Sequence, residues 1–207
     1  MLEIVAHPAN EMLPERETSR GIPNEHAIPG FHGATLWVET EDATARALVE
    51  TLGYVRAGDD REVHRFAAQA SQAGTFVDLR ITGNFPRGTQ GAGTVHHIAY
   101  RVADAVAQLA VRETAELAGF KPTPPIDRKY FRSVYFREPA GVLFEIVTDT
   151  PGFGIDESPD SLGQSLMLPL QYEPRRERIE AALPALHVPG EDDRHDLLGL
   201  TEHTGQS

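Results

Sequence analysis

Two adjacent histidines and one acid are the residues of this sequence best suited to metal or proton-transfer chemistry. His96 and His97 lie in GTVHHIAYRV (93–102), and Glu145 interrupts the apolar run GVLFEIV (141–147). Both stretches have the pattern of β-strands. Successive strand side chains point to opposite faces, so only one of the two histidines is expected to face a given pocket.

The residue pattern alone leaves two interpretations of Glu145 open. A carboxylate among large apolar residues is costly unless a cation compensates it. In the first interpretation that cation is an arginine, since Arg128, Arg132 and Arg137 are near in sequence. In the second it is a metal ion, with His97 as a further ligand. A lone histidine on a strand is more often structural than ligating.

The elements that must position these residues occur twice. Three segments of the first half have counterparts in the second: FHGATLWV (31–38) with VHHIAYRV (95–102), ATARALVETLGY (43–54) with AVAQLAVRETAELAGF (105–120), and GTFVDLRI (74–81) with GVLFEIV (141–147). In this register Gly33 corresponds to His97 and Asp78 to Glu145. Histidine and acid thus occupy the first and last strands of one βαβββ unit. Such strands can lie side by side, which favours the ligand interpretation.

The repeat predicts an α+β fold, in which paired βαβββ modules form an open, cup-shaped mixed sheet with a short C-terminal helical extension. Four regions are expected: a remnant strand (LEIVA) and linker at 1–29, two modules at 30–149 (about 30–82 and 93–149), an extension at 150–187 with a short helix around Glu173–Leu183, and a disordered polar tail at 188–207. His187, His195 and His203 lie in or beside that tail and are interpreted as solvated.

The composition favours a small-molecule function. The 207 residues carry a formal net charge of −12, which argues against sequence-independent binding to nucleic acid. No apolar run has the roughly 20 residues of a membrane span, and no signal peptide is recognisable. Cysteine is absent, which excludes disulfides and thiolate chemistry. We therefore expect a cytoplasmic protein that binds neither nucleic acid nor membrane.

The double repeat, with HHIAYRV and GVLFEIV, resembles the vicinal-oxygen-chelate superfamily, which includes glyoxalase I, bleomycin-resistance proteins and extradiol dioxygenases. Three longer segments closely resemble the ring-cleaving dioxygenases that act on hydroquinone-type substrates: GAGTVHHIAYRVAD, IDRKYFRSVYFREPAGVLFEIVTDTPGF and LPLQYEPRRERIEAALP. The resemblance covers about residues 20–187.

The resemblance implies a set of roles for individual residues. His97 and Glu145 would hold Fe(II), while His96, Arg128 and Tyr135 would line the pocket of an aromatic diol that reacts with O₂. Arg128 could hold a substrate phenolate, and His96 or Tyr135 could move a proton. Considered without the resemblance, Arg128 is better read as a solvated surface charge and Tyr135 as a core residue. Strand alternation also places His96 on the face opposite His97.

One ligand of the implied iron site is missing from this assignment. Iron(II) dioxygenases of this kind use two histidines and one carboxylate, and in the resembling family the other histidine comes from an N-terminal domain that we expect to be missing here. His7, His32 and His64 are poorly placed to replace it. The remaining explanations are a truncated product, a split enzyme completed by an N-terminal half, or a homo-oligomer whose partner copy supplies a ligand.

Three functions follow from these expectations. The first is a non-haem Fe(II) dioxygenase for aromatic diols, incomplete as an isolated chain. The second is a non-catalytic module of the same fold that binds a small molecule or a protein, because an uncovered sheet face would favour assembly. A glyoxalase-type isomerase is a weaker third, since it also needs more ligands than are visible.

Overall fold

The chain contains two consecutive βαβββ units and a C-terminal extension. A computed structural model of the protein describes residues 2–5, 28, 30–69, 75–84, 86 and 88–184. The first unit comprises β1 (Gly33–Val38), α1 (Asp42–Arg46, continued by a π-helical turn Ala47–Thr51), β2 (Val55–Asp60), β3 (Val63–Ala67) and β4 (Phe76–Ile81). The second comprises β5 (Ile98–Val102), α2 (Ala105–Leu117), β6 (Ile126–Asp127), β7 (Arg132–Arg137) and β8 (Leu143–Thr148). The extension contains the 3₁₀ turns Phe153–Ile155, Pro159–Ser161 and Leu170–Arg175, and then α3 (Arg176–Ala182).

Each unit forms a four-stranded mixed sheet of the same topology. The strand orders are β1-β4-β3-β2 and β5-β8-β7-β6, with the first and last strands of each unit parallel and adjacent. The α+β prediction is confirmed, as is the side-by-side placement of the strands after His97 and around Glu145. The predicted cup consists of two separate sheets rather than one continuous ladder.

The helices of both units cover one face of the sheets and share a single core. Leu48 from the first unit and Ala115, Phe136 and Phe144 from the second belong to one buried cluster. Asp104 caps the N-terminus of helix α2, and its side chain accepts hydrogen bonds from two backbone N–H groups of the first turn. The two sheets are thus held together by the layer that carries their helices.

A buried hydrogen bond also joins the two units. The Thr44 hydroxyl, on α1, donates to the Glu138 carboxylate, on the turn between β7 and β8, at 2.8 Å. Backbone N–H groups of Ala140 and Val142 donate to the same carboxylate. Thr44 and Glu138 are 0% and 2% exposed, so these donors supply the hydrogen bonds that the buried carboxylate loses from water.

The predicted strand near the N-terminus does not join a sheet, whereas the predicted C-terminal helix is present. Residues 2–5 of the predicted first strand are exposed and extend neither sheet; a strand needs a hydrogen-bonding neighbour, and these residues have none in the described parts of the fold. The predicted helix near residue 173 is present as the last 3₁₀ turn and α3. The linker before residue 28 and the tail beyond residue 184 lie outside the described residues. Within the described ranges, no helix is long and apolar enough to cross a membrane.

Candidate metal centre

Glu145 lies at the centre of a polar cluster on the face of the second sheet opposite α2. Its side chain is 5% exposed, and its oxygen Oε2 lies 2.6 Å from His97 Nε2. The other oxygen, Oε1, accepts hydrogen bonds from the hydroxyls of Ser133 and Tyr135, each at 2.5 Å. The carboxylate therefore pairs with a histidine and two hydroxyls, and the arginine pairing considered from the sequence is not the arrangement found.

The cross-strand register explains how these groups meet. Tyr135 lies directly opposite Glu145 in the antiparallel β7–β8 pair, and Ser133 is two residues away on the same face of β7. In the parallel β5–β8 pair, Ala99 is the partner of Glu145, and His97 precedes Ala99 by two residues. Ser133 and Tyr135 thus follow from strand alternation once the register is known, whereas His97 lies one residue before its strand begins.

The two histidines precede β5 rather than belonging to it. Because β5 begins at Ile98, the alternation rule does not separate them, and their Nδ1 atoms lie 2.9 Å apart with the rings edge to face. The Gln90 side chain donates to the His96 backbone carbonyl at 2.7 Å. The difficulty that the sequence raised for His96 is therefore absent: it reaches the ring of His97 without having to cross the sheet.

Arg128 is brought to the same cluster by a tight turn. Its guanidinium carbon lies 5.8 Å from the centre of the Tyr135 ring, a cation–π distance, while the side chain belongs to an exposed residue. Lys129 follows with a positive φ of 71°, and the Asp127 carboxylate accepts its backbone N–H at 2.7 Å. All five residues singled out from the sequence therefore lie within one cluster, although their roles stay predictions.

The C-terminal extension holds this turn in place. Asp156 accepts from the ammonium group of Lys129 at 2.5 Å and from the Tyr130 hydroxyl at 2.8 Å, and Phe153 stacks on the Tyr130 ring. The hydrogen bond from Lys129, followed by that from Tyr130, lowers the pKa of Asp156, and the hydrogen bond to Asp156 raises the pKa of Tyr130. The extension thereby fixes the backbone that presents Arg128.

The corresponding place in the first sheet is arranged differently. The register aligns Gly33 with His97, Asp78 with Glu145 and Arg65 with Tyr135. Both oxygens of Asp78 are paired with the Arg65 guanidinium, at 2.8 and 2.7 Å. An arginine thus neutralises the acid of the first unit, and the two units differ at this place, as the correspondence of Gly33 with His97 indicates.

His97 Nε2 and Glu145 Oε2 are donor atoms of the kind that a facial triad of two histidines and one carboxylate uses, and they converge. They fit two of its three protein positions. Among the described residues, however, no group of three histidine, cysteine, aspartate or glutamate side chains could hold a metal ion. His64 is paired with Glu41 at 2.7 Å and His32 lies against the Phe76 ring. His7 is outside the described residues.

Two residues of the cluster were missed by sequence reasoning. Ser133 and Gln90 are small or polar residues in segments with no distinctive motif. The alternation of RSVYFR would have placed Ser133 on the same face as Tyr135, but only the register with Glu145 makes that placement informative.

Comparisons with known proteins identify homologues of this chain. The chain is 46% identical over 162 residues to MhqO of Bacillus subtilis (strain 168), provisionally named a ring-cleaving dioxygenase, covering 78% of this chain and 51% of MhqO. It is 35% identical over 157 residues to a chlorohydroquinone/hydroquinone 1,2-dioxygenase of Sphingobium indicum, covering 73% of this chain and 48% of that protein. This chain is a homologue of the ring-cleaving dioxygenases. No family model matches it.

Solved structures support the fold of these dioxygenases for this chain. A crystal structure of a provisionally named dioxygenase from Bacillus subtilis matches with a TM-score of 0.78 and 42% identity, covering 83% of this chain and 55% of that one. A glyoxylase/bleomycin resistance protein/dioxygenase domain from Frankia sp. EAN1pec matches at a TM-score of 0.51 and 18% identity, covering 62% of this chain and 97% of the domain. The fold is that of the vicinal-oxygen-chelate superfamily. The chain spans about half the length of the curated relatives it matches.

Proposed function

We propose that this chain carries the greater part of the active site of a non-haem iron dioxygenase that cleaves the ring of hydroquinone-type diols. The observation that carries the proposal is the convergence of His97 Nε2 and Glu145 Oε2 in a chain homologous to ring-cleaving dioxygenases. The name of the Sphingobium relative supports chlorohydroquinone or hydroquinone as substrate class. A cytoplasmic location, as expected from the sequence, belongs to the same proposal and is testable by cell fractionation.

His97 and Glu145 are the residues that would hold Fe(II), and a histidine from outside the described residues would complete the triad. When bound, the iron supplies the redox chemistry with O₂ and a positive charge for the diol oxygens. In this proposal the buried Glu145 carboxylate, 4% exposed, gains a positive partner in addition to its hydrogen bonds from Ser133 and Tyr135. The complementing group belongs either to a further polypeptide segment or to a second copy of this chain.

The two histidines have different tasks in this proposal. Without a metal, His97 Nε2 carries a proton and donates it to the Glu145 carboxylate 2.6 Å away. When Nε2 would instead bind the metal, the neutral His97 ring would carry its proton on Nδ1 and donate it to His96 Nδ1. His96 then fixes the tautomer and the orientation of His97, as second-layer partners of ligating histidines do. Its own Nε2 is free to exchange a proton with the substrate.

Arg128 and Tyr135 would handle the charge of the diol. The fixed charge of Arg128, above the Tyr135 ring, is suited to hold a phenolate oxygen. The Tyr135 hydroxyl donates to Glu145 and can turn to a substrate oxygen, so that it can hold or return a proton at that atom. The exposed position of Arg128 and the half-buried position of Tyr135 leave both side chains within reach of a ligand.

The test is oxygen consumption with hydroquinone and chlorohydroquinone after anaerobic loading with Fe(II). The chain is assayed alone and mixed with the separately expressed part of MhqO that it does not match. Oxygen uptake that needs the diol, and that is lost on His97→Ala, is the expected result. Absence of uptake in both samples, with iron bound, would refute the proposal.

A non-catalytic binding module is the second candidate. It is favoured by one observation, the lack of a three-ligand group within the described residues. In that case the chain should bind a diol with neither iron nor oxygen uptake, and Glu145→Gln should leave diol affinity unchanged. The dioxygenase proposal expects diol affinity to depend on iron.

A further inference from the structure

Ser133 makes a hydrogen bond to Glu145 that no catalytic role described above uses. Its residue is 0% exposed, and its Oγ lies 2.5 Å from Glu145 Oε1. The serine side chain has a single rotor and, in this buried position, a fixed partner. A hydroxyl enclosed in this way keeps its hydrogen bond regardless of what binds at the open side of the cluster.

We propose that Ser133 is a positioning residue that decides which oxygen of Glu145 is presented to the metal. This inference rests on the dioxygenase proposal above. Ser133 holds Oε1 toward β7, so that Oε2 alone turns to His97 Nε2. Glu145 is thereby prepared as a ligand through one oxygen, and it cannot rotate to offer both.

The two hydrogen bonds that Glu145 Oε1 accepts differ in whether their donor can turn to another partner. Tyr135 is half-buried and faces Arg128, so its hydroxyl is available to a substrate and can leave Glu145 during the reaction. Ser133 has no such alternative within its enclosed site. When Tyr135 turns away, Ser133 keeps the carboxylate in place, so the metal keeps its geometry while the phenol hydroxyl moves.

The first sheet provides an internal comparison. The residue of β3 that corresponds to Ser133 is Val63, since Val63 pairs with Arg80 as Ser133 pairs with Val147. Without a hydroxyl at that position, Asp78 gives both oxygens to the Arg65 guanidinium. A serine that occupies only one oxygen leaves the other for a metal, whereas a guanidinium occupies both.

The test compares Ser133→Ala with Ser133→Thr, which keeps the hydroxyl, and with Thr148→Val as a matched control. Thr148 is a buried hydroxyl on β8, 3% exposed, whose partners are the Arg132 N–H and the Thr150 carbonyl. The first readout is the ¹⁵N signal of the His97 ring in metal-free protein at a fixed pH, assigned with His97→Gln. The second readout is Co(II) affinity, measured in the presence of the part of MhqO that this chain does not match.

Ser133→Ala should move the His97 ring signals and weaken Co(II) binding by about 10- to 100-fold, the usual effect of removing an outer partner of a ligand. Ser133→Thr should restore both, and Thr148→Val should move neither, although it lowers stability. Unchanged His97 signals in Ser133→Ala would overturn the inference, whether or not metal binds. If Ser133→Thr does not fold, the contrast between Ser133→Ala and Thr148→Val decides. Failure of the dioxygenase proposal would be seen separately: no oxygen uptake with a diol, while Ser133→Ala still moves the His97 ring signals as expected.

Discussion

The hydrogen bond between the two units gives a prediction whose size can be derived from the structure. Thr44→Val keeps the shape of the side chain and removes the hydroxyl that donates to the buried Glu138 carboxylate. Hydrogen bonds to charged groups contribute about 1.5–3 kcal/mol, and Glu138 keeps its two backbone donors. We therefore expect the free energy of unfolding to fall by about 2 kcal/mol.

Urea unfolding followed by circular dichroism measures this change. With a dependence of about 2 kcal/mol per molar urea, the midpoint should fall by about 1 M. Thr51→Val is the matched control, because Thr51 is also a buried threonine of the first unit but its hydroxyl has no partner among the described residues. Its removal should be neutral or stabilising. Equal effects of the two substitutions would refute the account of how the units are joined.

Three further predictions concern other parts of the fold. Gly33→Ala should destabilise the first sheet by about 1–3 kcal/mol, because a Cβ would lie 2.5 Å from the Phe76 carbonyl oxygen, while Gly58→Ala, with open space around it, should cost little. The lowered pKa of Asp156 means that its pairing stabilises the protein above pH about 3.8 and is lost as pH falls below that value, so Asp156→Asn should reduce the loss of stability in acid titrations. Burial, and then the nearby Tyr54 and Glu138, raises the pKa of Tyr100 well above 10.0. In an absorbance titration, folded wild type and folded Tyr100→Phe should therefore show the same number of ionising tyrosines. The free energy of unfolding of the wild type should fall as pH rises above 10, because Tyr100 ionises more readily in the unfolded chain.

The repeat was readable from the sequence because strand and helix periodicities recur in the same order. Superposing Gly33 on His97 and Asp78 on Glu145 predicted the correspondence between the two units that their strand pairings show. That the first and last strands of such a unit can lie side by side was expected of a βαβββ sheet, and both units show it. These features depend on local patterns of apolar residues, which a single sequence displays directly.

The partners of Glu145 could not be derived in the same way. Three arginines near it in sequence made an ion pair an equal alternative, yet the carboxylate meets His97, Ser133 and Tyr135. Which neighbour a carboxylate meets depends on cross-strand register, and a one-residue slip would have exchanged the faces. His96 was misjudged for a related reason, since the point at which β5 begins decides whether alternation applies to it.

The number of iron ions bound per chain tests the central claim most directly. Anaerobic Fe(II) reconstitution should give about one iron per chain with the complementing part of MhqO, because that part would add the ligand that His97 and Glu145 lack. The chain alone should bind substoichiometric iron if a further segment supplies that ligand, and about one iron per chain if a second copy does. His97→Ala and Glu145→Ala should each abolish that binding. Absence of stoichiometric iron in both samples, or iron that survives either substitution, would contradict the account.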